Sequence, residues 1–310
     1  MPLSAKILVL RTPLVHFWPG PGIILSHITI ATTAMENGMN LVDLDVEGGI
    51  ATVTFCNPPK GFMTSDMVVQ LGSVLDVIEN DESVCVVIFT GGLPGIFIRH
   101  FSIEEILDMS DALKAQRASG LPRPRFSRSA LRLVWERIDN LTRPTIAAIN
   151  GTCGGGGCEL TLCCDIRLAG PGDYTIGQME ILVGIMPGAG GTARLARAVG
   201  TGKALEWVLR GRMFSPVDAA AEGLVHHYIE GDVLEAAREI ACEFLDKPPA
   251  ALAYIKQVMR SSHGKGLQEG MDEEGDLFAA LITEDEQALQ MMREYLASDH
   301  QLKQIRKRSS

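Results

Sequence analysis

The sequence predicts an α/β layered domain, and three segments carry that prediction. "VCVVIFTGG", ending at Gly92, reads as a buried strand running into a glycine turn. "RPTIAAING", residues 143–151, repeats the pattern and again ends in glycine. Before them, Met67, Val68, Leu71, Val74, Leu75 and Ile78 recur at helical spacing. Strands and helices in this order suggest α/β layering.

The other elements follow in order. Residues 41–46 and 50–55 alternate apolar and polar around Gly48-Gly49, which predicts a hairpin. In "FSPVDAAAEGLV", Ser215 caps a short helix, Pro216 takes its first position, Asp218 lies three residues on, and Gly223 closes it. "PPAALAYIKQVM", residues 248–259, is another helix opened by proline. After Met271 the chain is charged, helical in pattern, and ends in the basic "KQIRKRSS". Residues 1–40 stand apart. No Asp or Glu precedes Glu36, and Pro13, Pro19 and Pro21 with Gly20 and Gly22 interrupt the apolar pattern. That argues against a membrane helix and breaks the continuous centre a signal peptide needs. With only Lys6 and Arg11, the segment is also poor in the arginine of a transit peptide. It is expected to be a disordered extension, or sequence upstream of a true start at Met35 or Met39.

With 310 residues, 46% of them hydrophobic, the chain can bury a sizeable core. The formal charge is −10, and an acidic surface repels nucleic acid and anionic lipid, so neither nucleic acid nor membrane is expected as a partner. Residues 114–143 are the exception. Lys114, Arg117, Arg123, Arg125, Arg128, Arg132, Arg137 and Arg143 stand there against Glu136 and Asp139, a net of +6. A solvated loop and helix face explains them, with an anionic-ligand or subunit-contact role as the alternative. The seven cysteines are odd in number, and four of them cluster. That favours free thiols in a reducing, cytoplasmic compartment.

Residues 151–165, "GTCGGGGCELTLCCD", put four glycines ahead of a glutamate and an apolar run. A dinucleotide fingerprint needs another spacing. Its variant does occur from Gly188 to Ala193, but the nearest suitable acid, Glu206, falls in a helical pattern rather than at a strand end. Cys153, Cys158, Cys163 and Cys164 lack the paired C-x-x-C of zinc sites and read as small buried hydrophobes, so no metal is expected. The third reading is an oxyanion hole. Glycines 154–157 let the backbone approach a ligand closely, and the helix that follows aims its amides at a carbonyl oxygen gaining charge. Glu159, one turn deep, can then serve as general base or acid.

"RPTIAAINGTCGGGGCELTLCCDIRLAG" and "IGQMEILVGIMPGAGGTARLARAVG" resemble the enoyl-CoA hydratase/isomerase, or crotonase, superfamily. The resemblance runs from about Leu41 to about His300 and is strongest over 143–225. It implies a crotonase-like superhelix of ββα turns at 41–263 and a helical C-terminal trimerisation region at 264–310. A homotrimer or hexamer is implied too. The resemblance makes Gly156 one oxyanion amide and Phe101 the other, with Glu159 and Glu180 as the catalytic pair. Lys60, Arg99, His100 and Gly155 become substrate-binding residues. The implied substrate is an acyl-CoA thioester, with no cofactor beyond the coenzyme A it carries.

Two segments depart from the family pattern. Where A-G-A-D or S-G-A-D is common, this chain has "FIRHFSIEEIL", which alters the acyl pocket or the CoA entrance. A lone histidine such as His100 is more often structural, and a catalytic His100 is the alternative. Where the segment touching the nucleotide often ends in N-A-L, this chain has Gly61-Phe62-Met63, and Lys60 reads as a phosphate partner or a solvated lysine. The expected reaction is hydration of a 2-enoyl-CoA across C2=C3. Glu159 activates water, and protonated Glu180 delivers a proton to C2, its pKa raised by burial beside the apolar "ILVG". Alternatives are a Δ3,Δ2-enoyl-CoA isomerase, another crotonase-type lyase or hydrolase, and a non-catalytic binding protein.

Overall fold

The structure, a computed structural model, describes residues 28–30, 39–120 and 129–301. The rest of the extension expected over 1–40 lies outside them, as do Arg123, Arg125, Arg128 and the basic tail.

β1 (Ile28–Ile30) pairs antiparallel with β2 (Val42–Glu47), which forms the expected hairpin with β3 (Ile50–Phe55). Gly48 and Gly49 turn it at φ +57° and +87°, the two left-handed positions that match the twist of the strands. α1 (Ser65–Asn80) starts at Thr64, whose hydroxyl accepts from the Met67 N–H. Its buried residues are the six expected from the spacing. Fully burying each such side chain is worth roughly 1.5–3 kcal/mol.

β4 (Val86–Gly91) and β6 (Thr145–Ile149) are the two glycine-terminated runs. Val87, Phe89, Ala147 and Ile149 face the main core. Val86, Ile88, Ile146 and Ala148 pack on the other side against Val233, Ala237 and Ala241 of α8 (Val233–Cys242). Burial on both faces is why neither run alternates.

At its end each of these strands steps into a second sheet. β4 leads to β5 (Gly95–Ile98), β6 to β7 (Gly151–Gly154), and β8 (Ile166–Ala169) to β9 (Ile176–Gly177). The larger sheet runs β1-β2-β3-β4-β6-β8-β11, with β11 at His227–Tyr228. The smaller runs β10-β9-β7-β5, with β10 at Met213–Phe214. A Cβ at Gly151 would lie 2.0 Å from the Gly95 carbonyl carbon, so the step between sheets has no room for a side chain there. Asn150 ties successive steps together, accepting from the Gly91 N–H (3.1 Å) and donating to the Gly91 carbonyl (2.7 Å). Helices complete each turn of chain: α2 (Ile103–Ala118) and α3 (Ala130–Asn140), then α4 (Gly156–Cys163), then α5 (Gly191–Val199). The repeat is strand, strand, helix, as the resemblance implies.

α6 (Thr201–Arg210) and α7 (Pro216–Ala221) follow, and the Ser215 hydroxyl accepts from the Asp218 N–H at 3.1 Å as the capping pattern predicts. α9 (Pro249–Ser261), α10 (Leu267–Glu284) and α11 (Glu286–Ala297) form the C-terminal region. Within the described part of the basic segment, Lys114 and Arg132 stay exposed beside Asp111 and Glu136, and two other cations bind inside the fold. Arg137 bonds Asp76, Glu79 and the Gly72 carbonyl, holding α3 on α1, and Arg143 bonds the carbonyls of Asp81 and Val84. Cys153, Cys158, Cys163 and Cys164 are buried free thiols in the core, and burial pushes those of Cys158 and Cys164 up to about 12. Among the described residues, no helix is long and apolar enough to cross a membrane.

Candidate active site

The four glycines are a strand-to-helix turn: β7 ends at Gly154 and α4 begins at Gly156. Gly155 takes φ +49°, which side chains other than glycine's rarely allow. A Cβ on Gly157 would sit 2.4 Å from the Ile98 carbonyl oxygen, and one on Gly154 2.7 Å from that of Arg99. The turn therefore lies backbone to backbone on β5 and the residues after it. That contact brings the start of α4 to Phe101, where a Cβ built on Gly156 would be 3.8 Å from the Phe101 nitrogen. As the first residue of α4, Gly156 has no i−4 carbonyl inside the helix. Phe101 lies in a parallel bridge to Met63, in which the Met63 N–H donates to His100 O and the Ser102 N–H to Met63 O, both at 2.8 Å. Phe101's own N–H stays out of that bridge. Two backbone donors from different turns of the superhelix thus lie side by side.

Glu159 is buried one turn into α4. Its Oε1 accepts from the N–H groups of Ala189 and Gly191, each at 2.9 Å. The dinucleotide-like glycines are therefore a cradle for this carboxylate and the entry to α5. A Cβ on Gly191 would meet Glu159 Cγ and Oε1 at 2.9 Å. Burial raises the Glu159 pKa, while the two backbone bonds and the nearby Arg194 guanidinium oppose that rise. The indole N–H of fully buried Trp135 approaches the same carboxyl without completing a hydrogen bond.

Glu180 opens a 3₁₀ turn, Glu180–Val183, and its side chain is 9% exposed. Burial pushes its pKa up to about 7, opposed by a bond from its own backbone N–H and helped to a smaller extent by the Glu159 charge. The burial does not come from the run beside it. Ile181, Leu182 and Val183, expected to cover the carboxyl, are 44%, 62% and 52% exposed. In a turn this tight the side chains fan outwards, and only the first points into the protein. Gly155 and Gln178 supply the walls instead: a Cβ on Gly155 would be 3.4 Å from Glu180 Oε1. The Gln178 amide, with its NH₂ turned to Glu180, donates to Oε1 at 2.7 Å and Oε2 at 3.1 Å.

His100 lies across Gly155 from Glu180, where the same built Cβ would be 3.5 Å from His100 Cβ. Its Nδ1–H donates to the Phe101 carbonyl at 2.7 Å, and its ring packs on Phe62 with centroids 4.6 Å apart. Arg99 is exposed, its Nε–H donating to the Lys60 carbonyl at 2.9 Å, and Lys60 Nζ stands 5.6 Å from the Phe62 ring centre. The structure thus brings Phe101, His100, Gly155, Gly156, Glu159 and Glu180 together and leaves Lys60 and Arg99 at a solvent-facing rim. Sequence reasoning missed Gln178, Trp135 and the Ala189 and Gly191 amides. Gln178 sits inside the quoted "GQMEILVG", and the amides inside "PGAGG", where a glycine turn signals close backbone approach but not what approaches.

Two buried carboxyls stand beside two backbone amides on a ββα superhelix, an arrangement able to do acid–base chemistry on a carbonyl substrate. A model of the enoyl-CoA hydratase/isomerase family matches residues 45–301, and the chain belongs to that family. It is 32% identical over 252 residues to the short-chain-enoyl-CoA hydratase of Clostridium acetobutylicum, a match covering 80% of this chain and 92% of that protein. To the probable enoyl-CoA hydratase of Bacillus subtilis it is 36% identical over 226 residues, 72% of this chain and 83% of the relative. The crystal structure of an enoyl-CoA hydratase from Bacillus anthracis matches with a TM-score of 0.73 at 28% identity, covering 82% of this chain and 96% of that one.

Proposed function

We propose that this protein adds water across the C2=C3 bond of a 2-enoyl-CoA thioester. The observation that carries the reading is the unequal support of the two glutamates. Burial raises the pKa of both carboxyls, but two backbone N–H bonds and the Arg194 guanidinium oppose the rise at Glu159, whereas at Glu180 the Glu159 charge adds to it and the pKa reaches about 7. Environments that separate two carboxyls in this way assign base and acid. The thioester oxygen accepts from the Gly156 and Phe101 N–H groups, which makes C3 electrophilic. Glu159 takes a proton from water as its oxygen bonds to C3. The enolate then takes the Glu180 proton at C2. One donor to such an oxyanion is typically worth ~3–4 kcal/mol. Lys60 and Arg99 form the rim met by the polar parts of the substrate, His100 and Gly155 line the site inside it, and no cofactor beyond the substrate's coenzyme A takes part.

Incubation with crotonyl-CoA in deuterated water, followed by mass spectrometry, tests this. The expected product has gained one water and carries deuterium at C2. Unchanged crotonyl-CoA overturns the reading, and migration of its double bond from C2=C3 to C3=C4 without hydration points to the isomerase.

The same proposal includes a cytoplasmic homotrimer or a pair of trimers, assembled through the C-terminal helices. Supporting it, no residue of α10 is fully buried within the chain, and its Leu267, Met271 and Phe278 are 83%, 56% and 60% exposed. Light scattering of the purified protein should return three or six times the chain mass, and a monomer would refute the assembly.

A further inference from the structure

We propose that Arg194 is a positioning residue for Glu159: its side chain clamps the peptide between the two N–H groups that hold the carboxylate. The inference rests on the reading of Glu159 as general base. Three consecutive peptide units make the cradle. The N–H of Ala189 donates to Glu159 Oε1, the carbonyl of Ala189 accepts from Arg194 Nη1 at 2.8 Å, and the N–H of Gly191 donates to Oε1. The backbone N–H of Arg194 also donates to the Gly190 carbonyl at 3.0 Å. Arg194 thus grips the turn from both its main chain and its side chain.

The guanidinium is itself fixed. Its Nε donates to Asp139 Oδ2 at 2.9 Å and its Nη2 bonds the same oxygen, while the other oxygen of Asp139 accepts from Arg260 Nη1 at 2.6 Å. Arg260, on α9, also donates to the Cys163 carbonyl at the end of α4 and to Asp165. The side chains of Arg194 and Asp139 are 14% and 19% exposed, so solvent screens this pairing little. The ionisable groups around Glu159 are Arg194 from α5, Glu180 from the 3₁₀ turn and Cys158 on its own helix; those around Arg194 are Asp139, Cys163 and Glu159. Arg194 is the cation that opposes the effect of burial on Glu159. It does two things at once: it sets the place of the base and favours its ionised form.

The pH profile of kcat/KM separates these from mere stabilisation. Glu159 must be ionised, so its titration sets the acid limb. In Arg194→Gln, with the charge removed, that limb is expected to move to higher pH by about one unit. In Arg194→Lys the charge remains, but one ammonium cannot replace the fork on both the Ala189 carbonyl and Asp139. There the limb should stay in place while kcat falls about threefold to tenfold. A limb unmoved in Arg194→Gln overturns the proposal. If that variant does not fold, Arg194→Lys decides, and an unchanged kcat or a displaced limb overturns the proposal. Glu159→Gln is the control. Hydration that survives it sinks the reading of Glu159 as base, whereas an inert Glu159→Gln beside an unmoved limb in Arg194→Gln sinks only this inference.

Discussion

Glu159→Gln is expected to lower kcat for hydration by ~10²–10⁴-fold, the usual span of a general base, with KM little changed. The substitution isolates chemistry from architecture. A glutamine carbonyl can accept from the Ala189 and Gly191 N–H groups as Oε1 does now, so the cradle and the entry to α5 should persist. What glutamine cannot do is take a proton from water. The fold should gain rather than lose. A carboxyl whose pKa is raised by burial makes the folded state hold its proton more tightly than the unfolded chain, so its contribution to stability is greatest at low pH and declines as pH rises. Removing the charge removes that penalty, and thermal unfolding at neutral pH should occur at an equal or higher temperature. A variant that is both inactive and markedly less stable would mean that Glu159 is chiefly structural.

Glu180→Gln should cost a comparable ~10²–10⁴-fold, with a distinct signature in pH. In the proposed mechanism Glu180 acts while protonated, so kcat/KM of the unmodified protein should fall as pH rises through about 7, where burial and the Glu159 charge have placed its titration. The residual rate of the variant should lack that basic limb. The pair of variants also separates hydration from double-bond migration. Loss in Glu180→Gln with retention in Glu159→Gln describes an isomerase in which one carboxyl shuttles the proton. Loss in both describes the hydratase.

Much of this was legible in the residues. The inner face of α1 is readable because its pattern depends on one helix and one core. β4 and β6 are readable as buried runs because both their faces are covered. Glu159 and Glu180 stand out only through the motifs around them, since two lone carboxylates look like solvated surface groups. What could not be read depends on contacts far apart in the chain. Ala189 meets Glu159 across 30 positions, and Arg260 meets Asp139 across 121. No local pattern encodes such a meeting. The expectation that Ile181, Leu182 and Val183 shelter Glu180 failed for a related reason: apolar neighbours in sequence are not neighbours of the carboxyl once the backbone tightens into a 3₁₀ turn.

The thiols of the core have a practical consequence. Cys153 and Cys158 flank the glycine turn, Cys163 and Cys164 close α4, and all four are sealed from solvent, whereas Cys242 is exposed. A thiol reacts as its thiolate and only when reached, and burial suppresses both conditions here. Alkylation of the native enzyme should therefore be biphasic, with an early phase at exposed Cys242 and half-buried Cys56 and Cys85 and a slow one paced by opening of the helix that carries Glu159. The slow phase is a clock for the breathing of the region around Glu159, already wired into the protein without any added label.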